Sequence, residues 1–154
     1  MALSLIAGEN PTYLNVRYDI TFIQIKEAGK ESDKIIEREM QFLRLINQKY
    51  RKSSKSWSTR QQLIQALSYV QSKQLEQTQQ LIKKEVDLLD ICNIHEPRNY
   101  YVWQHRKFIL KLAKTIMPSG DLVGLINSEK LKFSEGKPDA SAQEYIDWLS
   151  HQFA

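Results

Sequence analysis

Between Ser32 and Tyr50, apolar side chains recur at Ile36, Met40, Leu43, Ile46 and Tyr50, in steps of three or four. That spacing places one apolar stripe on one face of an α-helix. Asn10-Pro11 reads as a cap followed by proline at the first helical position, opening an earlier helix that runs to Ala28 and stops at Gly29. Inside it Tyr18, Ile20 and Phe22 alternate with Asp19 and Thr21, a strand-like period. No other segment offers a partner strand, so the helix is kept. A third helix from about Lys55 carries Trp57, Arg60, Ile64 and Leu67 on one side, and a turn is expected near Ser72-Lys73. The fourth carries Ile82, Val86, Leu89 and Ile94 before Pro97 ends it, and the fifth runs from about Asn99 to Ile116 before Pro118-Ser119-Gly120. Asp121 is expected to cap a sixth helix, weakened by Gly124 and ended at Gly136. Ser141 with Glu144 three residues on has the form of a capping box for a last helix bearing Tyr145, Ile146 and Leu149. The chain is expected to be all-α, with about seven helices and short connections that favour antiparallel neighbours.

The helices repeat. Pro97-Arg98-Asn99-Tyr100-Tyr101-Val102-Trp103-Gln104-His105-Arg106-Lys107-Phe108-Ile109-Leu110 has a fainter copy at Ser53 to Ile64, and in both a Trp precedes an Arg by three residues. Leu14 and Arg17 extend the series upstream, so that Arg17, Arg60 and Arg106 stand 43 and 46 residues apart. A degraded copy starts at Pro138, with Glu144 in the Trp place and Asp147 in the Arg place. Periods in the forties with two helices each imply an α-α superhelix or solenoid, here of about three to four antiparallel helical hairpin repeats. One domain over 1–154 is expected, with repeats near 10–50, 51–96, 97–137 and a degenerate 138–154.

The motif residue types suit packing. Trp103 is an anchor that can bury on the order of 200 Å² between hairpins. Arg106, one turn later on the same face, offers a planar fork to carbonyls or carboxylates of a neighbouring helix. Asn99 suits a helix cap, and Pro97 and His105 complete the motif. Leu14, Arg17, Trp57 and Arg60 take the same structural reading.

Composition narrows the function classes. Of the 154 residues 42% are hydrophobic and 26% charged, with only 5 Gly and 4 Pro, which is ordinary for a helical globular protein. No apolar run approaches the roughly 18 residues of a membrane span. The apolar start, Met1 to Gly8, is too short for a signal peptide and lacks a basic flank. With a single cysteine, Cys92, no disulfide framework exists, and a cytoplasmic location is expected. The net charge of +4 includes a cluster at Lys49, Arg51, Lys52 and Lys55. Those cations follow a helix C-terminus and complement its dipole, and charge elsewhere is mixed in sign, so nucleic acid is not an expected partner. His95, His105 and His151 have no metal-ligand spacing with Cys92, and neither a Gly-rich phosphate loop nor a Ser nucleophile motif is present.

The segment Pro97-Arg98-Asn99-Tyr100-x-x-Trp103-x-His105-Arg106 resembles the repeat of protein prenyltransferase α subunits. The acidic and apolar runs Glu39-Met40-Gln41-Phe42-Leu43 and Glu85-Val86-Asp87-Leu88-Leu89 resemble that repeat's preceding helix. The resemblance implies an α subunit wrapping a β subunit that carries the zinc and most of the lipid pocket, with no cofactor on this chain. It implies a protein partner in a hetero-oligomer and no catalysis by this chain alone. It also implies two candidate catalytic residues near a prenyl diphosphate, Arg98 in a place where the family has Lys, and Tyr100. Such α subunits have several more repeats than this chain. The alternative is a non-catalytic helical-repeat scaffold or adaptor in a larger complex.

Overall fold

A computed structural model describes residues 10–70, 75–136 and 138–153. The described residues form seven α-helices and no strand: α1 (Pro11–Ala28), α2 (Ser32–Lys49), α3 (Ser54–Val70), α4 (Leu75–His95), α5 (Tyr100–Ile116), α6 (Ser119–Ser134) and α7 (Ala140–Gln152), with a 3₁₀ turn at Gly29–Glu31. The expected turn near Ser72-Lys73 lies outside the described residues. The chain divides into two compact units, Met1–Lys73 and Gln74–Ala154. Among the described residues no helix is long and apolar enough to cross a membrane.

Local chemistry sets the helix ends. The Asn10 side chain accepts from the Thr12 and Tyr13 amides, with Pro11 at the first position, and α1 stops at Gly29 with φ +53°, a left-handed conformation that favours glycine. At the other end of the chain the cap differs from the expected Ser141–Glu144 box. The Asp139 carboxylate accepts from the amides of Ser141 and Ala142, both at 2.9 Å, so helix α7 begins one residue before Ser141. A carboxylate reaching two orphan amides leaves Ser141 no capping role. Asp121 is likewise not a cap. Helix α6 begins at Ser119 after Pro118, and Asp121 sits in its first turn, accepting from Gln79 of α4.

In the first unit α1, α2 and α3 pack around Leu14, Ile36, Leu43, Ile46, Leu63 and Ile64, all buried. Arg17 reaches Glu39 across the α1–α2 pair, and Asn47 reaches Ser56 across the α2–α3 pair, each in antiparallel register. α1 is apolar on both sides. Leu14, Tyr18 and Thr21 face the unit's core, while Val16, Ile20 and Ile23 are exposed, and this two-sidedness produces the strand-like alternation in its sequence.

In the second unit α4 and α5 form one hairpin and α6 and α7 another. Gln79–Asp121 and Asp90–Lys132 pair residues 42 apart at opposite ends of α4 and α6, so these two helices run parallel. Lys107–Glu144 and the Lys114 bond to the Gln152 carbonyl do the same for α5 and α7. Two hairpins thus stack in register, first helix beside first helix and second beside second. Their shared core holds Trp103, Leu110, Ile126, Ala142, Tyr145 and Leu149.

The two clearest sequence copies close their turns identically. Trp57 Nε1 donates to the Arg51 carbonyl and Trp103 Nε1 to the Pro97 carbonyl, each at 2.7 Å and each six residues back. An indole in this position packs the hairpin and pins the connection leading into it. Replacing either Trp with Phe removes the donor and strands a carbonyl, with an expected loss of about 1–2 kcal/mol each. Urea denaturation of the two single variants checks this, and a change in only one of them would separate the copies.

Candidate functional site

Arg106 projects from α5 into the heart of the second unit, where its side chain is 0% exposed. Nη1 donates to Glu129 Oε2 of α6 at 2.7 Å and Nη2 to Asp90 Oδ1 of α4 at 2.6 Å. Lys132 Nζ bridges the same two carboxylates from outside, and the Tyr145 hydroxyl of α7 donates to Glu129 at 2.8 Å. The guanidinium also lies over the Phe133 ring, 4.8 Å from its centroid. Two cations meet two carboxylates, so the buried charge is balanced. Burial opposes the charge on Arg106, but Glu129 and Asp90 outweigh it and hold the guanidinium above its ordinary pKa. The Tyr145 phenol is pushed well up, first by burial and then by the Glu129 charge. His105, one residue before Arg106, points to Glu85 of α4 with Nε2 and Oε2 3.0 Å apart, both buried.

The upstream copies use the same places differently. Arg17 forks onto Glu39 with bonds of 2.7 and 2.6 Å and lies over Phe42, while Arg60 Nη1 donates to the Met40 carbonyl at 3.0 Å. Leu14, Trp57 and Arg60 are buried and Arg17 is half-buried. In the fourth copy the caps fix the register. Asp139 matches Asn99, which accepts from the Tyr101 amide, so that Gln143 and Ile146 take the Trp and Arg places rather than Glu144 and Asp147. That shift of one puts Tyr145 in the His105 place. Both side chains then meet the buried glutamate of their own hairpin's first helix, Glu129 and Glu85.

Arg98 and Tyr100 stand apart from this interior. Both are strongly exposed at the mouth of the α4–α5 hairpin, the Arg98 side chain at 82% and Tyr100 at 66%. Arg98 Nε has only a long contact, 3.9 Å, to Asp139, and Tyr100 meets the Tyr101 ring edge-on. The two border a small recess of about 130 Å³ that Lys107 and Glu144, themselves paired at 2.9 Å, share. Pro97 is exposed and supplies only its carbonyl, and Asn99 is buried as the cap.

No group of His, Cys, Asp and Glu among the described residues could hold a metal ion. Cys92 is buried, while His95 and His151 lie exposed at helix ends. The basic cluster lies around the end of α2 and the start of α3, where Lys49 covers the Tyr50 ring and Lys55 the Tyr18 ring. The motif reading did not reach Asp90, Glu129, Lys132 or Tyr145. A signal for Glu129 existed: glutamates at 39, 85 and 129 keep the repeat spacing, each beginning or lying within an apolar run.

Arg106→Met leaves the buried Glu129 and the half-buried Asp90 facing one lysine and is expected to cost about 3–5 kcal/mol, with part regained in Arg106→Met/Glu129→Gln. Chemical denaturation of the single and double variants measures both. The raised Tyr145 and Tyr18 phenols favour their neutral forms in the folded chain. Their contribution is full below the ordinary tyrosine value of about 10 and is lost as pH climbs above it. An absorbance titration is expected to show these two ionising only with cooperative unfolding; seven tyrosines titrating together in a folded chain would contradict it.

No curated protein and no solved structure matches the chain. Residues 82–113, which take in most of α4 and α5 with the Glu85–His105 and Asp90–Arg106 contacts, match the protein prenyltransferase alpha subunit repeat.

Proposed function

We propose that this chain is an α-subunit-like helical-repeat component of a protein prenyltransferase, binding a catalytic β subunit and not catalytic alone. The observation that carries the reading is the division of side chains within the matched repeat and its mouth. Trp103, His105 and Arg106 are turned inward and hold helices together, whereas Arg98 and Tyr100 are turned out beside them. A surface of that kind suits a subunit that lends a few groups to a site built mostly by its partner. The Arg98 fork fits a diphosphate bidentately, and the Tyr100 hydroxyl can add a hydrogen bond. A guanidinium there would hold negative charge and pass no proton. In this reading the metal and its chemistry belong to the β subunit.

A second reading, a non-catalytic scaffold in a larger complex, draws on the fourth copy. There the Trp and Arg places hold Gln143 and Ile146, so this copy lacks both motif residues. Affinity purification of the tagged chain from its own cells separates the two. A single stoichiometric partner of the β-subunit type supports the first, and a many-protein assembly without one supports the second. In a reconstituted heterodimer, Arg98→Ala and Tyr100→Phe are each expected to lower kcat/KM at least about tenfold, or 1.4 kcal/mol, while the free chain's stability stays within about 0.5 kcal/mol. Unchanged kcat/KM in both variants removes the catalytic part of the proposal.

A further inference from the structure

α1 carries a second apolar stripe that its own unit does not cover. Leu14, Tyr18 and Thr21 face the core, and on the opposite side of the helix Val16, Ile20 and Ile23 are 53%, 50% and 54% exposed. The half-buried Tyr13 and the exposed Glu27 extend the stripe at its two ends. Tyr13, Val16, Ile20, Ile23 and Glu27 follow one another in steps of three, four, three and four. That alternation is the a/d spacing of a helix seam that meets another helix. A surface helix needs one apolar stripe to dock on its core, and the second does nothing inside the fold.

Charge along one flank of the stripe indicates what meets it. Asp19 and Lys26 stand two turns apart on the same side of it. Both are exposed, and among the described residues neither has an ion-pair partner. The other flank differs: Arg17 there is already bound to Glu39, and Gln24 is uncharged. Let the stripe meet a copy of itself running antiparallel, with Ile20 on Ile23 of the second copy. Asp19 then comes opposite Lys26 of the second copy, and the two-fold axis repeats the pair. A parallel pairing instead sets Asp19 against Gln24 and Glu27 against Glu27.

We propose that α1 pairs with α1 of a second copy of this chain as an antiparallel two-fold seam. Val16, Ile20 and Ile23 fill the seam, and the two Asp19–Lys26 pairs close it along one flank. A negatively charged lipid surface is a poorer occupant, because Asp19 and Glu27 border the stripe beside Lys26. From Val16 to Glu27 the seam is about 16 Å long, short for a permanent interface, so the dimer is a weak one. The surface lies in the first unit, outside the matched residues 82–113, and does not rest on the prenyltransferase reading.

The test is sedimentation equilibrium of the full chain from about 5 to about 500 µM in about 50 mM salt, where exposed charges are little screened. Monomer is expected at the low end and dimer at the high end, with a Kd on the order of tens of micromolar. Ile20→Lys, which puts a charge in the seam of each copy, is expected to raise Kd at least about tenfold. Lysine is a good helix former at an exposed position, so α1 is kept, and far-UV circular dichroism checks that it is. Asp19→Lys faces Lys26 of the second copy twice and is expected to raise Kd about fivefold, while Asp19→Lys/Lys26→Asp restores it. A chain that stays monomeric throughout, or a dimer that ignores Ile20→Lys, overturns the surface. Failure of the double exchange to restore affinity overturns the antiparallel pairing.

Discussion

Arg106 keeps a full positive charge with none of its side chain in water, and the second unit is arranged to make that tolerable. A buried guanidinium is destabilising unless carboxylates reach it with good geometry. Here they come from two other helices, Asp90 on α4 and Glu129 on α6, while Lys132 and Tyr145 complete the carboxylates' own bonding. Hydrophobic burial alone would let α4 and α6 slide on α5 by a turn. Charge-assisted bonds at 2.6–2.7 Å do not allow it, because a shift of one turn, about 5.4 Å, breaks both. Register in this unit therefore depends on one side chain that contributes little to apolar packing.

The repeats vary around that constraint. Each described hairpin junction needs something polar where the buried glutamate lies, and the chain supplies it with whichever side chain is at hand. Glu39 receives Arg17, Glu85 receives His105, and Glu129 receives both Arg106 and Tyr145. Tyr145 can stand in for His105 because both present a single donor at similar reach from adjacent stacked helices. The fourth hairpin place thus lost Trp and Arg without losing its tie to the glutamate. Apolar positions follow the same logic, with Ile109 and Leu149 both fully buried one turn beyond these donors.

Fold was legible because its signals are local. Periodicity along α2, Asn10-Pro11, Gly29 and the Trp–Arg spacing each report on residues within a turn or two of one another. Two helix starts were misplaced: at Ser141, where Asp139 takes the cap, and at Asp121, where α6 starts at Ser119 behind Pro118 with no side-chain cap. The candidate site was legible in part. Arg98 and Tyr100 could be named from the motif, but that Asp90 and Glu129 converge on Arg106 could not, since they lie 16 and 23 residues away on different helices. α1 shows the opposite difficulty: its exposed Val16, Ile20 and Ile23 gave it an all-round apolarity that blurs the helical period.

The same motif therefore carries two kinds of information that a sequence match alone does not separate. Its inward residues specify how hairpins stack, and any helical-repeat protein of this build needs them whether or not it takes part in catalysis. Its outward residues, Arg98 and Tyr100, are under no such requirement, since little in the folded chain touches them. A side chain that the fold leaves unused is where a specific activity can be present or lost without consequence for stability.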